Sequence, residues 1–318
     1  MSRPAPLAPL LSARHLKVSY RPRGFRPWRR APVTAVEELH LDLRASETLG
    51  IVGEAGAGKS ALAQALAGLQ APDSGSIRYS GRELAGLSKK DWRTLRREIR
   101  LLTAKPLAGL GSRHSVGDFI AAPLHELSPE LGGPELAPRV AATLERLGLP
   151  AESMHAHPHE FPGLAALCVG LAHATIVPPR VLICDEPGAE LAEEDLQRLL
   201  VLLADVQREH GFAMAYLTRD PAAARRISHR IAVMYLGHVV EQAAAEDLFE
   251  HPAHPYTRSL LGSDAASAKA KVAPEMGCVF HPRCPLMEAS CVRSAPGMRR
   301  TGADHYAACH FVAAPGGS

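Results

Sequence analysis

The sequence carries no strong charge of either sign. Lys and Arg number 36 against 33 for Asp and Glu in 318 residues, and a surplus of three is too small to argue for a nucleic-acid partner. A secretory leader is missing too: Met1–Leu11 is short, holds three prolines and has no apolar core, so the chain is expected to work in the cytoplasm or against a membrane surface. The sequence also lacks a convincing membrane span. From Phe161 to Pro179 there is no Asp, Glu, Lys or Arg, which approaches the ~20 residues a bilayer needs. Pro162 and the Pro178–Pro179 pair bound that stretch, so a buried helix is the expectation. Cysteine is sparse, six in all, and a composition of 46% hydrophobic and 22% charged residues suits a soluble chain with one or two cores. Basic residues gather once, at Arg21–Arg30, with Phe25 and Trp28 interleaved. A solvated loop between strands is expected there, with a nucleic-acid or phospholipid contact as the alternative.

Against these absences stands one complete motif. Gly53–Ser60 reads Gly-Glu-Ala-Gly-Ala-Gly-Lys-Ser and fits the phosphate-loop pattern G-x-x-x-x-G-K-S/T at every fixed position. Gly53, Gly56 and Gly58 allow backbone N–H groups to turn inward around an anion without side-chain clashes. Lys59 is placed to reach the β- and γ-phosphates, and the Ser60 hydroxyl to meet Mg²⁺. The apolar run before the loop predicts a strand over 47–53, and Ala61–Gly68 predicts a helix whose N-terminus faces the phosphates.

Further along, strands are expected at His15–Tyr20 and Ile99–Thr103, with a turn and strand at Asp73–Tyr79 and a charged helix at Ser88–Glu98. Ala104–Glu160 is rich in proline and in helical spacing, which points to a helical insertion. Arg180–Glu186 runs apolar residues straight into two acids, as in a buried parallel strand that delivers carboxylates to its C-terminal end. Asp185 there suits Mg²⁺ and Glu186 suits a water-polarising base; a helix N-cap pair before Pro187 is the plainer alternative. Two more strands, Phe212–Thr218 and His229–Tyr235, complete an α/β sheet.

These residues together resemble the ATP-binding subunits of ABC importers, in particular the oligopeptide/dipeptide/nickel family, from about Ser12 to Phe311. The most specific pieces are Val233–Glu241, His254–Leu261 and Gly277–Pro285, which look like that family's C-terminal signatures. The resemblance implies an α/β fold of the P-loop NTPase type, with an antiparallel β subdomain, a helical subdomain and a Cys-rich extension. Residues 1–12 would then be a tail, 13–103 and 163–261 the ATPase core, 104–162 the helical subdomain and 262–318 the extension. It implies ATP and Mg²⁺ as cofactors, with Lys59 and Glu186 catalytic. Tyr20, Gly53, Glu54, Ala55, Gly56, Ala57, Gly58, Lys59, Ser60, Ala61 and Asp185 would line the nucleotide, with Ser60 and Asp185 on the metal. For Tyr20, stacking on adenine competes with a plain edge-strand tyrosine. The implied partners are two membrane permease subunits and a second ATPase subunit, closing head-to-tail at the cytoplasmic face of the inner membrane, with no nucleic acid.

The match fails at functional positions. The family's Mg²⁺-contacting glutamine is Ala104 here. Its signature Ser-Gly-Gly-Gln is Pro162, Gly163, Leu164 and Ala165, so a hydroxyl and an N–H are missing. The aspartate after the Asp-Glu pair is Ala192, and the switch histidine is Arg219. Groups that hold nucleotide within one subunit survive; groups that sense the γ-phosphate or complete a partner's site do not. The expectation is a degenerate half of an asymmetric pair that binds MgATP and hydrolyses it poorly. A non-hydrolysing scaffold and a soluble ATPase acting on nucleic acid are the competing readings.

Of the cysteines, Cys168 and Cys184 lie in apolar segments and are read as inert small hydrophobes. Cys278, Cys284, Cys291 and Cys309 crowd the last 41 residues as C-x5-C-x6-C-x17-C. Disulfides do not suit a cytosolic ATPase. Four thiolates suit zinc or a 4Fe-4S iron–sulfur cluster, and an unmetallated set is the third possibility. The C-x2-4-C knuckles usual for zinc are absent, and the family resemblance favours the cluster.

Overall fold

The computed structural model describes residues 8–20, 32–111, 114–127, 133–262 and 274–312. The basic stretch Arg21–Arg30 lies outside the described residues. The chain divides into two compact units, residues 1–86 with 215–318, and residues 87–214.

The first unit opens with β1 (Leu11–Tyr20), where Leu11, Ala13, Leu16 and Val18 are buried and the residues between face outward. This alternation is what a half-buried antiparallel strand requires. β2 (Val33–Leu43), β3 (Thr48–Val52), α1 (Lys59–Leu66), β4 (Ser74–Tyr79) and β5 (Arg82–Glu83) follow. β1, β2, β4 and β5 make an antiparallel sheet in the order β2-β1-β4-β5. β3 belongs to another sheet and is buried along its whole length, as expected of a parallel strand covered on both faces.

The second unit contains α2 (Lys89–Glu98), β6 (Ile99–Thr103), α3 (Val116–Leu127), α4 (Gly133–Arg146), α5 (Gly163–Thr175), β7 (Val181–Asp185) and α6 (Glu193–His210). β8 (Ala213–Thr218) runs across the boundary between the units. The Ser88 side chain caps α2 by accepting from the Asp91 N–H. β6 and β7 pair in parallel, with Thr103 opposite Asp185. The charge-free stretch forms α5, and no helix among the described residues is long and apolar enough to cross a membrane. Its core-facing residues include Leu167, Cys168, Val169 and Leu171. His173 stacks on Phe119 of α3 with ring centroids 4.1 Å apart, and its Nδ1–H donates to the Phe119 carbonyl at 2.7 Å.

The first unit resumes with α7 (Pro221–Ile227), β9 (Arg230–Tyr235), β10 (His238–Ala244), α8 (Ala245–Glu250), α9 (Pro255–Leu261), α10 (Ala289–Arg293), β11 (Arg299–Gly302) and β12 (His305–Ala307). Its strands run β11-β12-β10-β9-β3. β3 and β9 are parallel, and the others pair antiparallel. The C-terminal segment therefore extends the sheet rather than hanging from it, a pairing that the cysteine spacing did not suggest. Polar anchors fix this end. Glu241 is fully buried, accepts from the N–H groups of Ala253 and His254 at 2.7 Å each, and pairs with His305 Nε2 at 2.7 Å. Arg230 pairs with Glu47 at 2.9 Å, both largely buried. Val52, Tyr235, Tyr256, Cys278, Phe280 and Cys291 share one apolar cluster.

Candidate functional site

In the first unit, β3 ends at Val52 and α1 begins at Lys59, and the six residues between them form the loop. Its glycines are forced by local geometry. Gly58 is the N-cap of α1 with φ 100°, and a Cβ there would stand 1.9 Å from the Ala35 carbonyl oxygen. A Cβ on Gly53 would meet the Met234 carbonyl oxygen at 2.2 Å. Gly56 has φ 84° with open space around it, so its requirement is conformational freedom, not room. Ala57 accepts from the Gly237 N–H at 2.9 Å, which ties the loop to the β9–β10 turn. Lys59 is buried, and its Nζ donates to the carbonyls of Gly53 at 2.8 Å and Glu54 at 3.1 Å. Ser60 lies exposed in the first turn of α1, with Ala61 after it. α1 has no acidic residue in that first turn, so its partial positive charge is left for an anion.

Glu54 and Ala55 complete the loop. Glu54 is held by residues that the motif does not contain. Its N–H donates to the Tyr256 hydroxyl at 3.1 Å, and its carboxylate takes two bonds from Arg283, at 2.9 and 3.1 Å. Sequence reasoning missed both partners, although each lies within a segment that carries the family resemblance. Tyr20 closes β1 opposite Val33 and is 47% exposed.

In the second unit, Asp185 is the last residue of β7, and Glu186 follows with φ 48°, a region that non-glycine residues adopt at a cost. Ala104, Gly163, Ala166, Leu167, Pro187 and Leu191 line one cavity of about 310 Å³. Ala104 and Gly163, the positions where the resemblance leads one to expect the glutamine and part of the signature, thus line one cavity. Pro162 caps α5 without a side-chain bond, and α5 starts at Gly163 with φ 55°. Ala192 is the N-cap of α6, also without a side-chain bond. Cys168 is pushed up to about 11 by burial, and burial raises Cys184 further; neither offers a thiolate.

Arg219 stands exposed after β8 in the first unit. Asp220 beside it caps α7, accepting from the N–H groups of Ala222 and Ala223. The other four cysteines gather in this same unit. Cys278, Cys291 and Cys309 are buried, Cys284 is partly so, and all four are free. The Cys278 N–H donates to the Cys291 carbonyl at 2.7 Å. Burial raises the Cys278 and Cys284 thiols, and the neighbouring cysteines raise them further. Both thiols are therefore held in the neutral form in the metal-free chain. Among the described residues, the His, Cys and carboxylate set whose ligand atoms all lie within 4.8 Å of one another is instead His15, Glu38 and His40, all exposed. A zinc tetrahedron with ~2.3 Å bonds needs sulfurs ~3.8 Å apart, so no three of the cysteines stand at zinc spacing.

Comparison with known proteins agrees with this arrangement. Residues 36–189 match the ABC transporter family, and residues 240–291 match the oligopeptide/dipeptide transporter C-terminal region. A dimeric ATP-binding cassette, MJ0796 in a post-hydrolysis state with ADP and Pi, superposes over 74% of this chain and 98% of its own, with a TM-score of 0.66 at 19% identity. The fold is that of an ABC ATPase cassette. Oligopeptide transport ATP-binding protein OppF of Escherichia coli (strain K12) is 35% identical over 306 residues, covering 90% of this chain and 92% of the relative. Di/tripeptide transport ATP-binding protein DppF of Pseudomonas aeruginosa (strain UCBPP-PA14) is 34% identical over 296 residues, with 89% and 91% covered. The chain belongs to the ATP-binding subunits of oligopeptide/dipeptide ABC transporters.

Proposed function

We propose that this chain is the MgATP-binding, weakly hydrolysing ATPase subunit of a peptide importer, working beside a second ATPase subunit on the cytoplasmic face of two permease subunits. The peptide assignment rests on its relatives, which are named for transport of oligopeptides and di- or tripeptides. The reading of the ATPase rests on one contrast. The phosphate loop Gly53–Ser60 is intact and preorganised by its glycines and Lys59, whereas Ala104, the Pro162–Ala165 segment and Ala192 lack the polar groups expected there and Arg219 replaces a water-positioning histidine with a cation.

The loop fits a triphosphate. Its glycines leave the cradle open to backbone approach, the uncapped first turn of α1 favours negative charge, and Lys59 supplies a cation. When bound, Mg²⁺ would neutralise phosphate charge, with the Ser60 hydroxyl of the loop to hold it; the family resemblance adds Asp185 as a metal residue and Glu186 as the base. Tyr20, exposed at the end of its strand, would offer its ring to adenine. Four thiol donors suit zinc and a 4Fe-4S cluster alike; the family resemblance and a spacing wider than a zinc tetrahedron favour the cluster. Such a cluster would supply a rigid cross-link here, and the residues to hold it are Cys278, Cys284, Cys291 and Cys309.

The test is calorimetric titration of the purified chain with MgATP beside a steady-state assay of phosphate release. Binding in the ordinary range with turnover at least ~10²-fold below a motif-complete relative is the expected pair of results. Full-speed turnover without a partner refutes the reading, and no binding at all makes the chain a scaffold.

A further inference from the structure

The cysteine-rich segment reaches the phosphate loop through the charged side chain of Arg283. Arg283 lies in the turn His281–Arg283, one residue before Cys284. Its Nη1 donates to Glu54 Oε2 at 2.9 Å and its Nη2 to Glu54 Oε1 at 3.1 Å. The side chain is 8% exposed, and its guanidinium carbon stands 5.7 Å from the ring centroids of both Tyr235 and Phe280. Those rings and Cys278 belong to the same apolar cluster, so the arginine is built in rather than draped over a surface. On the loop side, Glu54 is gripped three ways: by Arg283 through its carboxylate, by Tyr256 through its N–H, and by Lys59 through its carbonyl.

Two physical consequences follow. A forked, two-bond arginine–carboxylate pair fixes direction as well as distance, which a lysine cannot reproduce. The second consequence is electrostatic. An unpaired Glu54 would put a negative charge in a loop that has to receive a polyphosphate, and at such short range the repulsion is large in a partly desolvated site. Arg283 cancels that charge and keeps the carboxylate turned toward the cysteine-rich segment.

We propose that Arg283 is a positioning residue of the nucleotide site, and that through Glu54 it links the state of Cys284 and its three partner thiols to the affinity for MgATP. The proposal rests on reading Gly53–Ser60 as the nucleotide loop. Linkage is reciprocal: whatever holds Cys284 in place strengthens nucleotide binding, and nucleotide in turn protects Cys284, the most exposed of the four thiols in the metal-free chain.

The experiment uses the full chain and its Arg283→Lys, Glu54→Gln and double variants. MgATP dissociation constants are measured by calorimetry, and the rate of Cys284 alkylation by iodoacetamide is read by mass spectrometry with and without MgATP. Arg283→Lys is expected to weaken MgATP binding about tenfold in the parent and less than twofold when Glu54 is already Gln, because the arginine acts through that carboxylate. MgATP is expected to slow alkylation in the parent and not in Arg283→Lys. Equal losses in both backgrounds overturn the proposal, as does an Arg283→Lys chain that binds within twofold of the parent. A parent chain that binds no MgATP removes the nucleotide reading itself, a separate failure visible before any variant is made.

Discussion

Lys59 shows how little of this loop is left to chance. It is buried, and its ammonium is already directed at two loop carbonyls, so a triphosphate would meet a cation whose side-chain entropy has been spent in folding. Lys59→Ala is expected to weaken MgATP binding about 10- to 100-fold, the scale of a charge-assisted bond, with little loss of fold. Calorimetry with a melting curve separates the two effects. His254 makes a different forecast. It is buried, its Nδ1 accepts from the Tyr256 N–H, and burial lowers it to about 4, against a smaller raising pull from Glu241 and a further lowering push from Arg258. A histidine that stays neutral when folded but protonates when unfolded stabilises the chain above pH 6.5. That contribution is lost as pH falls from 6.5 toward 4. Between pH 7.5 and pH 5 this site costs about 2 kcal/mol. Urea midpoints should fall accordingly, and His254→Asn should flatten the slope over that interval. Glu241 adds to the loss at lower pH. Burial opposes its ionisation, but bonds from His305, Ala253 and His254 outweigh that and hold it below the usual carboxylate range.

Helix ends carry the clearest record of what has changed at the element scale. α6 begins at Ala192, which supplies no side-chain acceptor, and three acids in the first turn, Glu193, Glu194 and Asp195, face the helix's positive end instead. Ala192→Asp puts back a cap and is expected to stabilise the chain by about 1 kcal/mol, read as a raised urea midpoint. An unchanged or lower midpoint would mean that the crowding of four carboxylates outweighs the cap. The same scale decides how far the fold could be read beforehand. Strands β3, β6, β7, β8 and β9 were legible because buried parallel strands are short apolar runs with turns at their ends. α5 was legible from its missing charges and bounding prolines. α1 starts at Lys59, two residues before the expected Ala61, because the glycine-capped loop hands its last residues directly to the helix. β11 and β12 were not legible: Arg299–Gly302 and His305–Ala307 are too short and too polar for a pattern, and their register is set by pairing of β12 with β10 and of β11 with β12. The phosphate loop could be read from spacing alone. Arg283 and Tyr256 could not, since 229 and 202 residues separate them from Glu54 and only tertiary packing brings them there.

For the whole molecule, binding and cutting a triphosphate draw on different residues, and the proposed function has this chain keep one set without the other. Ground-state affinity comes from loop N–H groups, Lys59 and the metal; rate comes from groups that recognise the transition state. Ala104 and Arg219 occupy two of the latter positions, and neither can orient a water as glutamine and histidine do. Removing a preorganised polar group of this kind typically costs ~10²–10³ in rate. Replacing them together, Ala104→Gln with Arg219→His, should therefore raise turnover by at least about tenfold and change the MgATP dissociation constant less than about twofold, since neither residue belongs to the loop. The comparison is steady-state phosphate release against calorimetry on the same preparations. If affinity moves and turnover does not, Arg219 is spending its charge on the bound γ-phosphate, and slow hydrolysis reflects tight holding of nucleotide. If neither moves, the limit lies in the Pro162–Ala165 segment and in what a second subunit must supply.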